Sequence, residues 1–155
     1  MRKIEVNEQD RIIPSISKEE KMSKILVPVD GSPSSKVAAD TAIEMAALTG
    51  DEIVALRVID VENYTGQWEF MRDQVEEELK RDADEILGDV VERAAGKGVT
   101  VEKLIRYGDA SFEIIAYAKE NREDVRAIIM GSAGRRGIAR AFIGSTASRV
   151  ARQVG

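Results

Sequence analysis

Residues 130–146, MGSAGRRGIARAFIGST, gather groups that could hold an anion: four glycines, three arginines and the adjacent hydroxyls of Ser145 and Thr146. Glycine lets the backbone reach positive φ and approach a ligand closely, so that successive amides can point at one anion. Gly131 and Gly134 stand three apart, and Gly144-Ser145-Thr146 follows after nine intervening residues, where an apolar-periodic segment begins. A helix starting there would add unbonded N–H groups and a partial positive charge. The same residues read as readily as an ordinary surface loop in which Gly144 and Ser145 only start a helix. Arg135, Arg136 and Arg140 read either as forks for phosphate or as solvated charges on a turn.

A second candidate is Asp30, in KILVPVDGS (24–32). A carboxylate at the end of a buried strand can accept hydrogen bonds from ribose hydroxyls or hold a hydrated magnesium ion. Equally, Asp30-Gly31 can be an Asx-type turn. The pattern GxxxxGK[ST] of a P-loop does not occur, nor does GxGxxG after the first apolar run. The carboxylates of EEELKRDADE (76–85) fall at helical spacing and read as a solvated helix face.

Composition narrows the chemistry further. A chain of 155 residues, 43% hydrophobic and 33% charged, suits one domain with a sizeable core. It has neither cysteine nor histidine, which removes Ser-His-Asp and Cys-His nucleophile systems. Only carboxylates remain for a metal, favouring magnesium or manganese over zinc. The net charge of −5 argues against nucleic-acid binding, which depends on a basic face. No apolar run is long enough for a membrane span or a signal-peptide core, so the expectation is a soluble, cytoplasmic protein.

The elements that must position these residues follow from hydrophobic period. Residues 1–21 carry five basic and five acidic side chains and read as an extension before a domain over 22–155. Residues 25–29, 52–60, 100–108 and 125–131 read as strands. Ser32 caps a helix beginning at Pro33 and reaching Gly50. Val75, Leu79, Ala83, Ile86, Val90 and Ala94 mark a long amphipathic helix, and residues 112–121 and 145–153 two more. Strands alternating with helices predict an α/β fold, a parallel sheet with helices on both faces and right-handed crossovers. If the first three strands wind outward as 3-2-1, the fourth packs on the other side of the first. The crevice of such a sheet opens where the strand order reverses, which brings PVDGS and MGSAG together.

Taken together, KILVPVDGS, LRVID (56–60), IIMGSAG (128–134) and the spacing Gly131-x2-Gly134-x9-Gly144-Ser145 resemble the universal stress protein family, the glycine spacing being that of its ATP-binding branch. The resemblance runs from about Met22 to the end of the chain. It implies a Rossmann-like three-layer sandwich of the adenine nucleotide alpha hydrolase-like kind, with ATP as ligand and usually a homodimer. Pro28 and Asp30 would border the nucleoside, with Asp30 near the ribose. Val58 would present backbone groups to the adenine edge, and Met130 and Gly131 would lie beside the ribose and α-phosphate. Gly134, Gly144, Ser145 and Thr146 would supply amides and hydroxyls to the phosphates.

The chain departs from the family pattern in three places. Ala133 stands where many relatives have a histidine, a change that removes no backbone amide. The apolar fifth strand that often carries the dimer interface is missing or replaced, giving the order 3-2-1-4. The extension before Met22 is unusual, and KIEV or RIIPSI within it are expected to pair with the open edge of the fourth strand, in cis or from a neighbouring chain. The leading reading is an ATP-binding stress-response module with no catalytic residues, which acts through its nucleotide-dependent conformation or a protein partner. The alternatives are a slow ATP-hydrolysing or adenylyl-transferring enzyme of the same architecture, a dimerisation module with a vestigial loop, and a response-regulator-like domain with Asp30 as phosphoacceptor.

Overall fold

The computed structural model describes residues 4–6, 12–14, 22–62, 69–132 and 145–154. Two short strands come first, β1 (Ile4–Val6) and β2 (Ile12–Pro14), paired antiparallel with Ile4 opposite Pro14. They form a sheet of their own, separate from the main one. Within the chain, then, KIEV and RIIPSI pair with each other and not with the edge of the fourth main strand. An antiparallel pair joined by a short connection closes a much smaller loop than docking on a distant edge would.

The main sheet starts at β3 (Lys24–Pro28), followed by α1 (Pro33–Thr49) and β4 (Glu52–Ile59). A single 3₁₀ turn at Glu69–Met71 leads into α2 (Arg72–Ala95). Then come β5 (Val101–Tyr107), α3 (Ala110–Glu120), β6 (Val125–Ile128) and α4 (Ser145–Val154). The four strands lie in the order β5-β4-β3-β6, all pairings parallel, as the 3-2-1-4 expectation required.

Burial explains why these segments are strands. Side chains alternate across a strand, so Ile25, Val27, Ile53 and Ala55 pack on one face with Ala39, Ala42, Ile43 and Ala46 of α1 and Leu87, Val90 and Ala94 of α2. Leu26, Val54, Leu56 and Val58 pack on the other with Ile114, Tyr117 and Ala118 of α3 and Val150 of α4. With both faces covered, β3 and β4 carry unbroken apolar runs and no polar alternation. Burying each Leu or Ile in these layers is worth roughly 1.5–3 kcal/mol. The alanine face of α1 lets that helix sit close to the sheet.

Helix ends follow their local chemistry. Ser32 Oγ accepts the Ser35 N–H at 3.1 Å and Pro33 opens α1, while Gly50 closes it with a left-handed φ of 77° and an N–H bonded to the Ala46 carbonyl. Strand β6 is shorter than the apolar run 125–131 suggested. It ends at Ile128, and only Ile129 N–H continues to Leu26 C=O at 2.9 Å. A register shift against Lys24 and Ile25 leaves Arg126 out of the β6 pairing, and its guanidinium lies 3.0 Å from the buried Asp51 carboxylate.

Candidate functional site

Strand order reverses between β3 and β6, so the loops leaving these two strands face one another at the carboxyl edge of the sheet. The β3 loop is tightly organised. Asp30 Oδ1 accepts the Ser32 N–H at 2.9 Å, Asp30 N–H reaches Ser35 Oγ at 3.4 Å, and Ser35 Oγ donates to Ser32 C=O at 3.0 Å. Gly31 takes φ 80°, the left-handed region in which other residues are strained. The Asx-turn reading of Asp30 is therefore realised, and it points this strand-end carboxylate across the turn. Pro28 is buried at the last paired position of β3, opposite Leu56.

The β6 loop closes onto the first turn of α1. A Cβ built on Gly131 would lie 2.5 Å from Ser34 Oγ and 2.8 Å from the Ser34 carbonyl carbon. Gly131 is not among the glycines with positive φ. It is required here for space and not for a left-handed backbone. Its neighbour Met130 packs its side chain into the core layer under α3 and α4. The strand order thus sets the end of β3, with Pro28 and Asp30, beside the end of β6, with Met130 and Gly131.

Val58 lies on β4, the other neighbour of β3. Glu52 N–H bonds Ser23 C=O and Leu56 C=O accepts Val29 N–H, so the even-numbered residues of β4 turn their backbone groups toward β3. The last β3 residue paired on that side is Pro28. Val58 lies two residues beyond Leu56, the last β4 residue paired with β3, with its side chain only 6% exposed in the core layer. Arg57 Nη1 donates to the Val58 carbonyl at 2.5 Å. The sequence reading missed this bond, although Arg57 is the one charge inside IVALRVI and so a visible signal.

The last helix, α4, begins at Ser145. Ser145 and Thr146 stand in its first turn, where backbone N–H groups lack helical partners. The helix is anchored by Val150, 3% exposed, and by Arg149, which donates to Ser111 Oγ at 2.9 Å and stands 3.8 Å from Asp109. Asp109 caps α3 by accepting Phe112 N–H at 2.9 Å. The Ser111 hydroxyl, then the Phe112 amide and then the charge of Arg149 hold the Asp109 carboxyl below the usual carboxylate range. Gly134, Gly144 and the three loop arginines lie outside the described residues.

The feature here that suits a nucleotide is the cradle at the switch point that a Cβ on Gly131 would fill. For a metal the described residues gather no group of three carboxylates. Asp30 alone would supply one oxygen, and phosphate oxygens and water the rest. A cleft of about 270 Å³ between α1 and α2 adjoins Val29 and Gly31 and is lined by charges of both signs, Asp82, Glu85 and Asp89 with Lys36 and Arg93. Among the described residues no helix is long and apolar enough to cross a membrane.

Comparison with known proteins gives a consistent picture. The sequence model of the universal stress protein family matches residues 21–154. A universal stress protein of Methanocaldococcus jannaschii is 34% identical over 132 residues, covering 82% of this chain and 74% of the relative. One from Bacillus subtilis is 32% identical over 136 residues, covering 83% of this chain and 90% of the relative. Among solved structures, the universal stress protein UspA from Lactobacillus plantarum superposes with a TM-score of 0.72 at 26% identity, over 86% of this chain and 92% of that one. A universal stress protein from Archaeoglobus fulgidus, solved in complex with dAMP, shares the fold with a TM-score of 0.59 at 20% identity, over 86% and 91% of the two chains.

Proposed function

The chain belongs to the universal stress protein family, and from that premise we propose that it is a cytoplasmic ATP-binding module of the stress response. The observation that carries this reading is the meeting of Gly131 with Ser34 at the switch point between β3 and β6. A fold relative holds dAMP, which supports the capacity of this architecture for adenine nucleotides. At 20% identity that likeness concerns the fold, so the reading rests on this chain's own residues.

In this reading Val58 meets the adenine edge and Pro28 and Asp30 border the ribose. Met130 and Gly131 flank the ribose and α-phosphate. Amides and hydroxyls at Gly134, Gly144, Ser145 and Thr146 receive the phosphates, with magnesium or manganese bound mainly by phosphate oxygens. With no histidine in the chain, turnover is expected to be slow, and the protein to work by nucleotide-dependent conformation, as a homodimer or with a protein partner. Isothermal calorimetry tests the proposal. ATP binds with a dissociation constant of about 1 mM or tighter, a binding free energy of about −4 kcal/mol or more favourable, and Gly131→Val combined with Gly144→Val abolishes the heat. Absence of heat and of any thermal shift with ATP, ADP and AMP would refute it.

A further inference from the structure

The cleft between α1 and α2, about 270 Å³, joins an apolar floor to a charged rim. Val29, Ala39 and Val90, each at most 5% exposed, form the floor with the partly buried Ile86. Most of the polar groups around it are already satisfied. The Arg93 guanidinium spans the two helices, 3.0 Å from Asp40 and 3.5 Å from Asp89, and donates to the Lys36 carbonyl at 3.5 Å. Asp82 has an interaction of its own, and the Ser35 hydroxyl donates to Ser32 C=O at 3.0 Å. Two rim charges are left over. The side chains of Lys36 on α1 and Glu85 on α2 line the cleft, are exposed, and form no ion pair among the described residues.

Charge complementarity then selects the occupant. A simple anion would answer Lys36 but face Glu85 and Asp89, and a simple cation would answer Glu85 but face Lys36 and Arg93. A molecule with one charge of each sign and a compact apolar body answers both, while the floor takes its apolar part. We infer that this cleft binds a free aliphatic α-amino acid, with its carboxylate toward Lys36, its ammonium toward Glu85 and its side chain on Val29, Ala39, Ile86 and Val90. The volume lies just under the roughly 300 Å³ at which drug-sized pockets begin, so the ligand is small. The two rim charges stay hydrated and screened, which sets the affinity in the millimolar range.

NMR titration of the full chain with L-leucine, leucinamide and isocaproate tests the inference, because the amide lacks the carboxylate and isocaproate lacks the ammonium. Leucine is expected to shift the amide signals of Val29, Ala39 and Val90. It should bind about tenfold more tightly than either analogue, the scale of one hydrogen bond to a charged group. Lys36→Met erases the preference over leucinamide and keeps that over isocaproate; Glu85→Gln does the reverse. Both side chains are exposed, so neither substitution disturbs the core, and an unchanged melting temperature confirms it. No shift at the solubility limit of leucine, shifts confined to other surfaces, an analogue that binds as tightly as leucine, or a preference that survives its own substitution overturns the inference. Each of these outcomes leaves the nucleotide reading standing, since the cleft and its rim charges do not depend on it.

Discussion

Gly131 and Ser34 approach so closely that a methyl group on Gly131 would fall 2.5 Å from the serine hydroxyl oxygen and 2.8 Å from its carbonyl carbon. The first obstacle is a side chain that can rotate. The second is backbone in the first turn of a helix capped by Ser32 and braced by the alanine layer, and it moves only if α1 or the β6 loop moves.

Gly131→Ala is therefore expected to destabilise the fold by about 1–3 kcal/mol, the usual cost of overpacking, and to weaken nucleotide binding. Ser34→Ala in the same chain removes only the hydroxyl and should restore a minor part of the loss. Urea denaturation of the two single variants and the double variant decides the point; full recovery in the double variant would show that the backbone contact is unimportant.

Asp30 carries two roles that one substitution separates. Its Oδ1 accepts the Ser32 N–H at 2.9 Å, and asparagine can keep that acceptor while losing the charge. Asp30→Asn should hold the melting temperature close to that of the natural protein and reduce the part of ATP affinity that depends on added magnesium. Asp30→Ala should lower the melting temperature as well, because the turn amide loses its partner. Equal melting temperatures for the two variants would show that the turn bond contributes nothing.

Asp109 links acid stability to the position of α4. Its folded-state pKa is depressed by the Ser111 hydroxyl first, then the Phe112 amide and, less strongly, Arg149. A depressed carboxylate adds stability above its unfolded value of about 4 and loses it as pH falls through the folded value. The natural protein should thus be progressively destabilised below about pH 4 by this group, and Asp109→Asn should flatten that part of the stability profile while leaving the slope above pH 6 unchanged. Denaturation midpoints measured from pH 3 to 7 provide the check.

Much of the architecture was legible in the residues. The apolar runs of 25–29 and 52–60, the second interrupted only by Arg57, read as strands covered on both faces, and their alternation with amphipathic segments pointed to a parallel sheet. Ser32-Pro33 marked the start of α1, and Gly50 its end, because cap chemistry is local. The expected strand order 3-2-1-4 located the switch point between the ends of β3 and β6. The β6 boundary was not legible: residues 129–131 are as apolar as a strand, but β3 bends away into its turn and leaves them only the Ile129 bond to Leu26.

The sequence by itself determined the period, the caps and hence the order in which strands and helices occur, since these depend on neighbours within a few residues. Periodicity and spacing left Gly131 open between an anion cradle and an ordinary turn, the family resemblance alone singled out Val58, and Arg57 stood as an isolated charge. Tertiary structure decided their meaning. Parallel pairing turns alternate backbone groups of β4 toward β3, and the guanidinium of Arg57 settles on the Val58 carbonyl. Gly131 meets Ser34 only because the crossover through α3 brings β6 back beside β3. No local pattern encodes such contacts, because they depend on how far each strand runs before it turns.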